Sequence, residues 1–271
     1  MRLIAWDTSS KEAALVALEW NQESKSGWPG VKLVAEWALN VDLNHSERLL
    51  WGIDQILESA RWGLGDVDLL GVGVGPGSFT GLRIGVTTAR TLALTLNKPL
   101  LGVSSLAALA RPAASWLASK KARTVVIAAT DAAKGELFGL FGSARSILDC
   151  AIRSDDDHAG LWKRGVEEKV MLPGDLMQAI KRKLAEGDGK SEWVAVGEGR
   201  FRYPEAWKTL PVARRAEIPD FFSNQVQGRY LGQIVWEAFQ AGLHSDPARV
   251  LPRYLRASDA EVKLKAGLLK K

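Results

Sequence analysis

Thiol and metal chemistry have little to draw on in this chain. Its 271 residues include one cysteine, Cys150, and three histidines, His45, His158 and His244. A single cysteine permits no internal disulfide and no cysteine-based metal cluster, which suits a reducing, cytoplasmic setting. No two histidines share a helical spacing. Neither His-Glu-x-x-His nor Gly-x-Ser-x-Gly occurs, so the zinc-peptidase and serine-hydrolase signatures find no support. No run reaches the ~18 apolar residues that a membrane helix needs. The opening MRLIAWDTSS has too short an apolar run for a signal peptide. These absences predict a cytoplasmic protein with no catalytic metal and no membrane partner.

What is present is ordinary in bulk. Hydrophobic residues make up 46% and charged residues 25%, enough for two modest domains, each with its own core. The net charge of +5 is not evenly spread. Residues 249–271 carry Arg249, Arg253, Arg256, Lys263, Lys265, Lys270 and Lys271 against Asp259 and Glu261, and the rest of the chain sums to about zero. Such a tail is either solvated, bound to a protein partner, or laid on nucleic-acid phosphate; the first two readings are preferred. The 11 tryptophans are many for this length, and several are expected at interfaces.

The chain is organised around Gly71 to Ser105, read as buried strand, glycine-rich turn, helix, Asn/Pro break and second buried strand. Asp68 to Val74 is short, apolar and β-branched. Gly75-Pro76-Gly77-Ser78 breaks that strand, and Thr80 is the expected N-cap of a helix to Leu96. Small residues recur along that helix at Gly81, Gly85, Ala89 and Ala93, a ridge against which another helix can lie close. Leu82, Val86 and Leu92 form its other flank. Asn97-Pro99 ends it, and Leu100 to Val103 is the next strand. The loop is no dinucleotide fingerprint: counted from Gly71, Gly73 or Gly75, the sixth position is Pro76, Ser78 or Thr80. It is no P-loop either, since no lysine lies between Gly71 and Asn97. It remains either a plain tight turn or a helix N-terminus open to an anion.

Upstream, Arg2 to Asp7, Ala13 to Trp20 and Lys32 to Leu39 predict an antiparallel meander, with 21–30 as a hairpin loop. Asn44 to Trp62 predicts a helix with Asn44 and Glu47 as a capping box. Leu49, Ile53, Ile56 and Ala60 form its stripe, widened by Leu50 and Leu57, with Trp51 and Trp62 off its centre. Downstream, Arg111-Pro112 opens a short helix and a basic linker. Thr124 to Thr130 and Leu137 to Phe141 form a hairpin about Asp131 to Glu136. A strand is expected near Ser146 to Ile152 and an acidic loop at 155–160. A helix is expected from Pro173 to Glu186, a strand from Trp193 to Val196 and a short aromatic helix from Phe201 to Leu210. The final helix is capped by Ser223 or Asn224 and ends near Ala241.

GPGSFTGLRIG, with DTSS near the start and PLLGVSSL after the helix, closely resembles the TsaB (YeaZ) family. NHSERLL, DAAKGELF, VAVGEG and PRYLR match further along, in the family's order. The resemblance implies an α/β actin/Hsp70/sugar-kinase-like fold of two mixed-sheet subdomains with flanking helices. It divides the chain into 1–111, a linker at 112–122, 123–222, a return segment at 223–256 on the first subdomain, and a basic mobile tail at 257–271. It implies a non-catalytic scaffold that binds TsaD as a heterodimer, works with TsaE, and forms a homodimer when alone. That complex would transfer a threonylcarbamoyl group to N6 of adenosine 37 in tRNAs reading codons that start with A. tRNA would be met through the complex; no cofactor would be tightly bound, with ATP or ADP at most at the complex interface.

The family's contact lies on its first two helices, which carries onto Leu49, Leu50, Trp51, Ile53, Leu57, Gly81, Leu82, Gly85, Ala89 and Ala93. The fold's phosphate loops carry onto Asp7, Thr8, Ser9, Gly75, Gly77, Ser78, Thr80, Gly197 and Gly199, taken as vestigial. In the catalytic paralogue a His-x-x-x-His pair follows a similar strand; here the matching positions are Ser105 and Leu109. The family's Asp-Ala-Arg is Asp131-Ala132-Ala133 here, so any contact of that arginine is lost or passed to Lys134. The other reading, of a different class, is an active ATP-using phosphotransferase or ATPase of the sugar-kinase type.

Overall fold

The computed structural model describes residues 1–20, 30–40, 45–118, 123–149, 166–186, 190–219, 224–243 and 246–256, with backbone alone at 40 and 45–47. The chain begins with β1 (Arg2–Asp7), β2 (Glu12–Trp20), β3 (Val31–Asn40) and α1 (His45–Ala60). Next come β4 (Leu69–Gly75), α2 (Phe79–Leu96), β5 (Leu100–Ser104) and α3 (Ser105–Ala118). The second half holds β6 (Thr124–Asp131), β7 (Leu137–Ser143), α4 (Ala144–Asp149), β8 (Glu167–Met171) and α5 (Pro173–Ala185). It ends with β9 (Glu192–Val196), α6 (Gly199–Arg202), α7 (Pro204–Trp207) and α8 (Gly228–Gln240).

Two mixed sheets result. In the first, of order β3-β2-β1-β4-β5, the first three strands form the antiparallel meander, and β4 and β5 add in parallel. Every residue of β4 is buried, as a central parallel strand covered on both faces requires. Residues of α1 and α2 pack on one face with Ile4, Trp6, Leu15 and Val72. On the other face α8 packs with Leu3, Ala5, Val16 and Leu69, and Ala108 of α3 joins it. The second sheet, of order β8-β7-β6-β9, is covered by α3 and α4 on one face and by α5 and Trp207 on the other. This is the two-sheet α/β architecture that the resemblance implied. No helix among the described residues is long and apolar enough to cross a membrane.

Between the sheets lies α3, with eleven of its fourteen residues buried. Its alanines let both sheets approach. Pro112 sits inside this helix and does not open a linker, as the sequence reading expected. Burial on every side outweighs the ~3 kcal/mol that an interior proline costs.

Other expectations need correction. Ser146 to Asp149 belongs to α4, not to a strand; Ser143 Oγ accepts from Ser146 N at 3.0 Å and starts the turn. Strand β8, with its charged sequence EEKVM, was not foreseen because an edge strand lacks a clean apolar alternation. The stretch 201–210 divides into two single turns at Pro204. The last helix starts at Gly228, after Gln227, and not at Ser223 or Asn224. The 21–30 hairpin loop, the Asn44/Glu47 capping box, the 155–160 loop and the basic tail fall wholly or largely outside the described residues.

Candidate functional site

Strand β1 delivers Asp7 to the point where the two sheets face one another. The residue is fully buried. Its Oδ1 accepts from Ser9 N at 2.9 Å and from Ser9 Oγ at 2.6 Å, and its Oδ2 accepts from Ser105 Oγ. Ser105 Oγ in turn accepts from Gly75 N at 3.1 Å. One serine thus bridges the carboxyl group and the glycine turn. Burial pushes the Asp7 carboxyl above the ordinary carboxylate range, against the hydrogen bonds from Ser105 and Ser9, which act to lower it. Leu109, one helical turn beyond Ser105, is buried in the second sheet's core. Among the described residues, no three His, Cys, Asp or Glu side chains are grouped to hold a metal ion.

The neighbouring groups lock the turn to β1. Thr8 Oγ1 donates to Gly81 O at 2.7 Å, Ser78 N donates to Ser9 O at 2.7 Å, and Trp6 Nε1 donates to Gly85 O at 3.1 Å. Gly81 and Gly85 permit this approach: a Cβ on Gly81 would stand 2.1 Å from Thr8 O, and one on Gly85 would stand 2.1 Å from Thr8 Oγ1. The N-cap of α2 is Ser78, whose Oγ accepts from Gly81 N; Thr80 is exposed one turn position inside the helix. The expected cap, Thr80, is corrected to Ser78: the two residue types suit the role alike, and only the backbone geometry separates them.

From the second sheet, Gly197 (φ +94°) and Gly199 turn against the Ala129 carbonyl near the end of β6. Asp131 Oδ1 accepts from Ala133 N at 3.0 Å, so Asp131 closes its own turn. Ser9, Gly77 and Ser78 face Asp131 and Glu198 across a cleft of about 720 Å³. Thr8, Gly75, Thr80, Gly197 and Gly199 do not line it.

The candidate interface residues separate sharply. Leu49, Ile53, Leu57, Gly81, Leu82, Gly85, Ala89 and Ala93 are all buried within this chain. The small-residue ridge of α2 therefore packs inside the chain, with Gly81 and Gly85 against Thr8 and Ala89 and Ala93 in the first sheet's core. On α1, Leu50 and Trp51 are each 52% exposed, and Trp51 meets Trp37 of β3 edge to face at 5.8 Å. On α2, Leu94 is 55% exposed. Leu50 does not widen the buried stripe as expected. Trp62 is buried beneath the guanidinium of Arg2, 5.4 Å from its ring.

Sequence reading missed Glu168. This β8 residue is buried, accepts from Ser104 Oγ at 2.5 Å and pairs with Arg253. Of the pair, only Arg253 carried a signal, through PRYLR.

Comparison with known proteins gives a consistent result. The profile of the family described as TsaD, tRNA N6-adenosine threonylcarbamoyltransferase, matches residues 40–199. The tRNA threonylcarbamoyladenosine biosynthesis protein TsaB of Escherichia coli K12 is 33% identical over 208 residues, 77% of this chain and 76% of that one. The protein of the same name from Haemophilus influenzae is 32% identical over 67% of this chain and 68% of its own length. Among solved structures, YeaZ from Pseudomonas aeruginosa superposes with a TM-score of 0.65 at 26% identity, covering 93% of this chain and 99% of that one.

Proposed function

This chain belongs to the TsaB family of tRNA threonylcarbamoyladenosine biosynthesis proteins, and on that premise we propose that it is a non-catalytic scaffold. In this reading it binds and activates TsaD, with TsaE, for transfer of a threonylcarbamoyl group to N6 of adenosine 37 in tRNAs reading codons that start with A. The chemistry sits on the partner. Alone, the chain pairs with a second copy; tRNA and any ATP or ADP are met in the complex.

The observation that carries the proposal is the occupation of Asp7. Where an enzyme of this fold would use an acid at the end of β1 toward metal and nucleotide, both carboxylate oxygens here take hydrogen bonds from the chain's own serines. Burial further disfavours the charged form. A buried carboxyl whose two oxygens are already taken by the chain's own donors has little acceptor capacity left for a metal or a substrate proton. Ser105 fills the place that a ligand would need, and Leu109 adds only apolar surface.

The exposed face of α1 supplies the binding half of the proposal. A half-exposed tryptophan is the residue type that anchors protein contacts, and Leu50 beside it widens the apolar surface. Reconstituting tRNA modification with cognate TsaD and TsaE tests it. Leu50→Arg with Trp51→Ala is expected to abolish TsaD binding and modification together while circular dichroism stays native. Full modification by this variant would reject the α1 surface, and modification without the chain would reject the scaffold.

A second reading draws on the cleft, which is large enough for a small ligand. It requires ATP turnover by the isolated chain, and a null result at high protein concentration would dismiss it.

A further inference from the structure

Residues 250–256 follow an irregular path, and Arg253 to Arg256 line the cleft. Such a segment is free to wander unless something holds it, and here the holding groups alternate between the two sheets. Val250 is buried in the core beneath α1 and α2. Arg253 N donates to Val74 O at 2.7 Å, which fixes the backbone to the end of β4. The Arg253 side chain crosses to the second sheet and pairs with Glu168 of β8. Tyr254 returns to the first sheet's side: its ring lies 4.6 Å from Phe79, and its hydroxyl accepts from Arg83 Nε at 3.1 Å. Leu255 packs on the core of the second sheet. Arg256 ends the crossing, donating to Ala132 O at 2.6 Å and approaching Glu136 at 3.6 Å.

Glu168 also accepts from Ser104 Oγ, at the end of β5. A single carboxylate of the second sheet therefore holds both the first sheet and the crossing segment. The arginines lining the cleft are engaged by the chain itself: Arg253 by Glu168, Arg256 by Ala132 and Glu136, and Arg83 by Tyr254 and the Phe79 ring 3.9 Å away. The opposite side of the junction is tied separately. Arg111, six residues along α3 from Ser105 and so roughly 9 Å from the cleft end, donates to Leu148 O at 2.8 Å and pairs with Glu237 of α8. The crossing segment and the Ser104–Glu168 bond thus tie the sheets at one side of the junction, and Arg111 at the other.

We propose that residues 250–256 are an interlobe strap, latched by Arg253 and Glu168, that holds the two sheets at one fixed opening. This goes beyond the scaffold reading and does not depend on it, because the strap acts in the isolated chain. A scaffold gains from such a device: a shape held in advance costs less to bind than one that must be ordered on contact.

The test measures the opening directly. Spin labels at Lys11→Cys and Lys134→Cys, on opposite walls of the cleft and in a Cys150→Ser background, report one interlobe distance by pulsed electron resonance. The full chain is expected to give a single narrow distribution. Replacing the latch as a pair, Arg253→Met with Glu168→Gln, avoids stranding one buried charge. It should raise a longer-distance population by about tenfold or more. Arg256→Ala, at the partly exposed end of the strap, should raise it by less and serves alone if the paired variant does not fold. A folded variant with the native distribution, or a native chain that is already broad, would overturn the proposal.

Discussion

Helices α1 and α2 cover the same face of the first sheet by opposite means. Helix α2 turns its smallest residues inward. Gly81 and Gly85 bring its backbone onto Thr8 and Trp6, close enough for two direct hydrogen bonds to the end of β1. Helix α1 turns medium-sized residues inward, Leu49, Ile53 and Ile56, and leaves its bulkiest, Trp51, half outside. A ridge of small residues in a sequence is thus a statement about close approach and does not say to what. Here the answer is the chain's own first strand. Half-exposed large residues are the better mark of an outward surface, because burying the exposed half of each would have stabilised the isolated chain by roughly 1 kcal/mol or more.

Adding one carbon to the ridge gives the largest way to break this contrast. Gly85→Ala places a methyl on Thr8 Oγ1 and disturbs its bond to Gly81 O. A loss of about 2–4 kcal/mol in urea unfolding is expected. Ser105→Ala is next. It removes a donor from buried Asp7 and an acceptor from Gly75 N, for about 1–3 kcal/mol by the same measurement. Trp51→Ala should behave differently in kind. Its edge-to-face contact with Trp37 is worth about 0.5–1.5 kcal/mol to the fold. Its loss should weaken association with TsaD roughly tenfold or more, as read by calorimetry. If Gly85→Ala instead left stability intact and abolished association, the contrast between the helices would be reversed.

The smallest effect concerns pH. The Asp7 carboxyl is raised in the folded chain, so between its unfolded and folded values the native state holds more protons than the unfolded one. Stability from this group is therefore present below the unfolded value and is lost as pH rises toward the folded one. The slope is at most about 1.4 kcal/mol per pH unit. Asp7→Asn should lack that slope, so its unfolding midpoint should gain on the native chain as pH rises above about 4. Parallel pH profiles for the two would show that Asp7 ionises in place without cost.

Much of the first half was legible. The β-branched run before Gly75, the Gly-Pro-Gly turn and the Asn97 stop each act through local backbone chemistry, which is written residue by residue. Asn97 does adopt the left-handed conformation that ends α2. The second half was read less well, at α4 and β8. Short elements there are fixed by what they pack against, and neither six residues of ARSILD nor five of EEKVM carry a period long enough to decide. At the site, Asp7 and Ser9 could be named from Asp-Thr-Ser. Their joining to Ser105 could not, because that bond spans 98 positions of sequence.

Local sequence was enough to establish the family, the order of strands and helices through Ser105, and the want of a histidine pair after β5. These follow from motif spacing and local preference, which need no partner in space. Long-range packing decided that the α2 ridge faces inward, that Leu50 and Trp51 face outward, that Ser105 joins Ser9 in saturating Asp7, and that Glu168 meets Arg253. Each of these depends on which distant segment arrives to bury a face or satisfy a polar atom, and no local stretch of the chain carries that information.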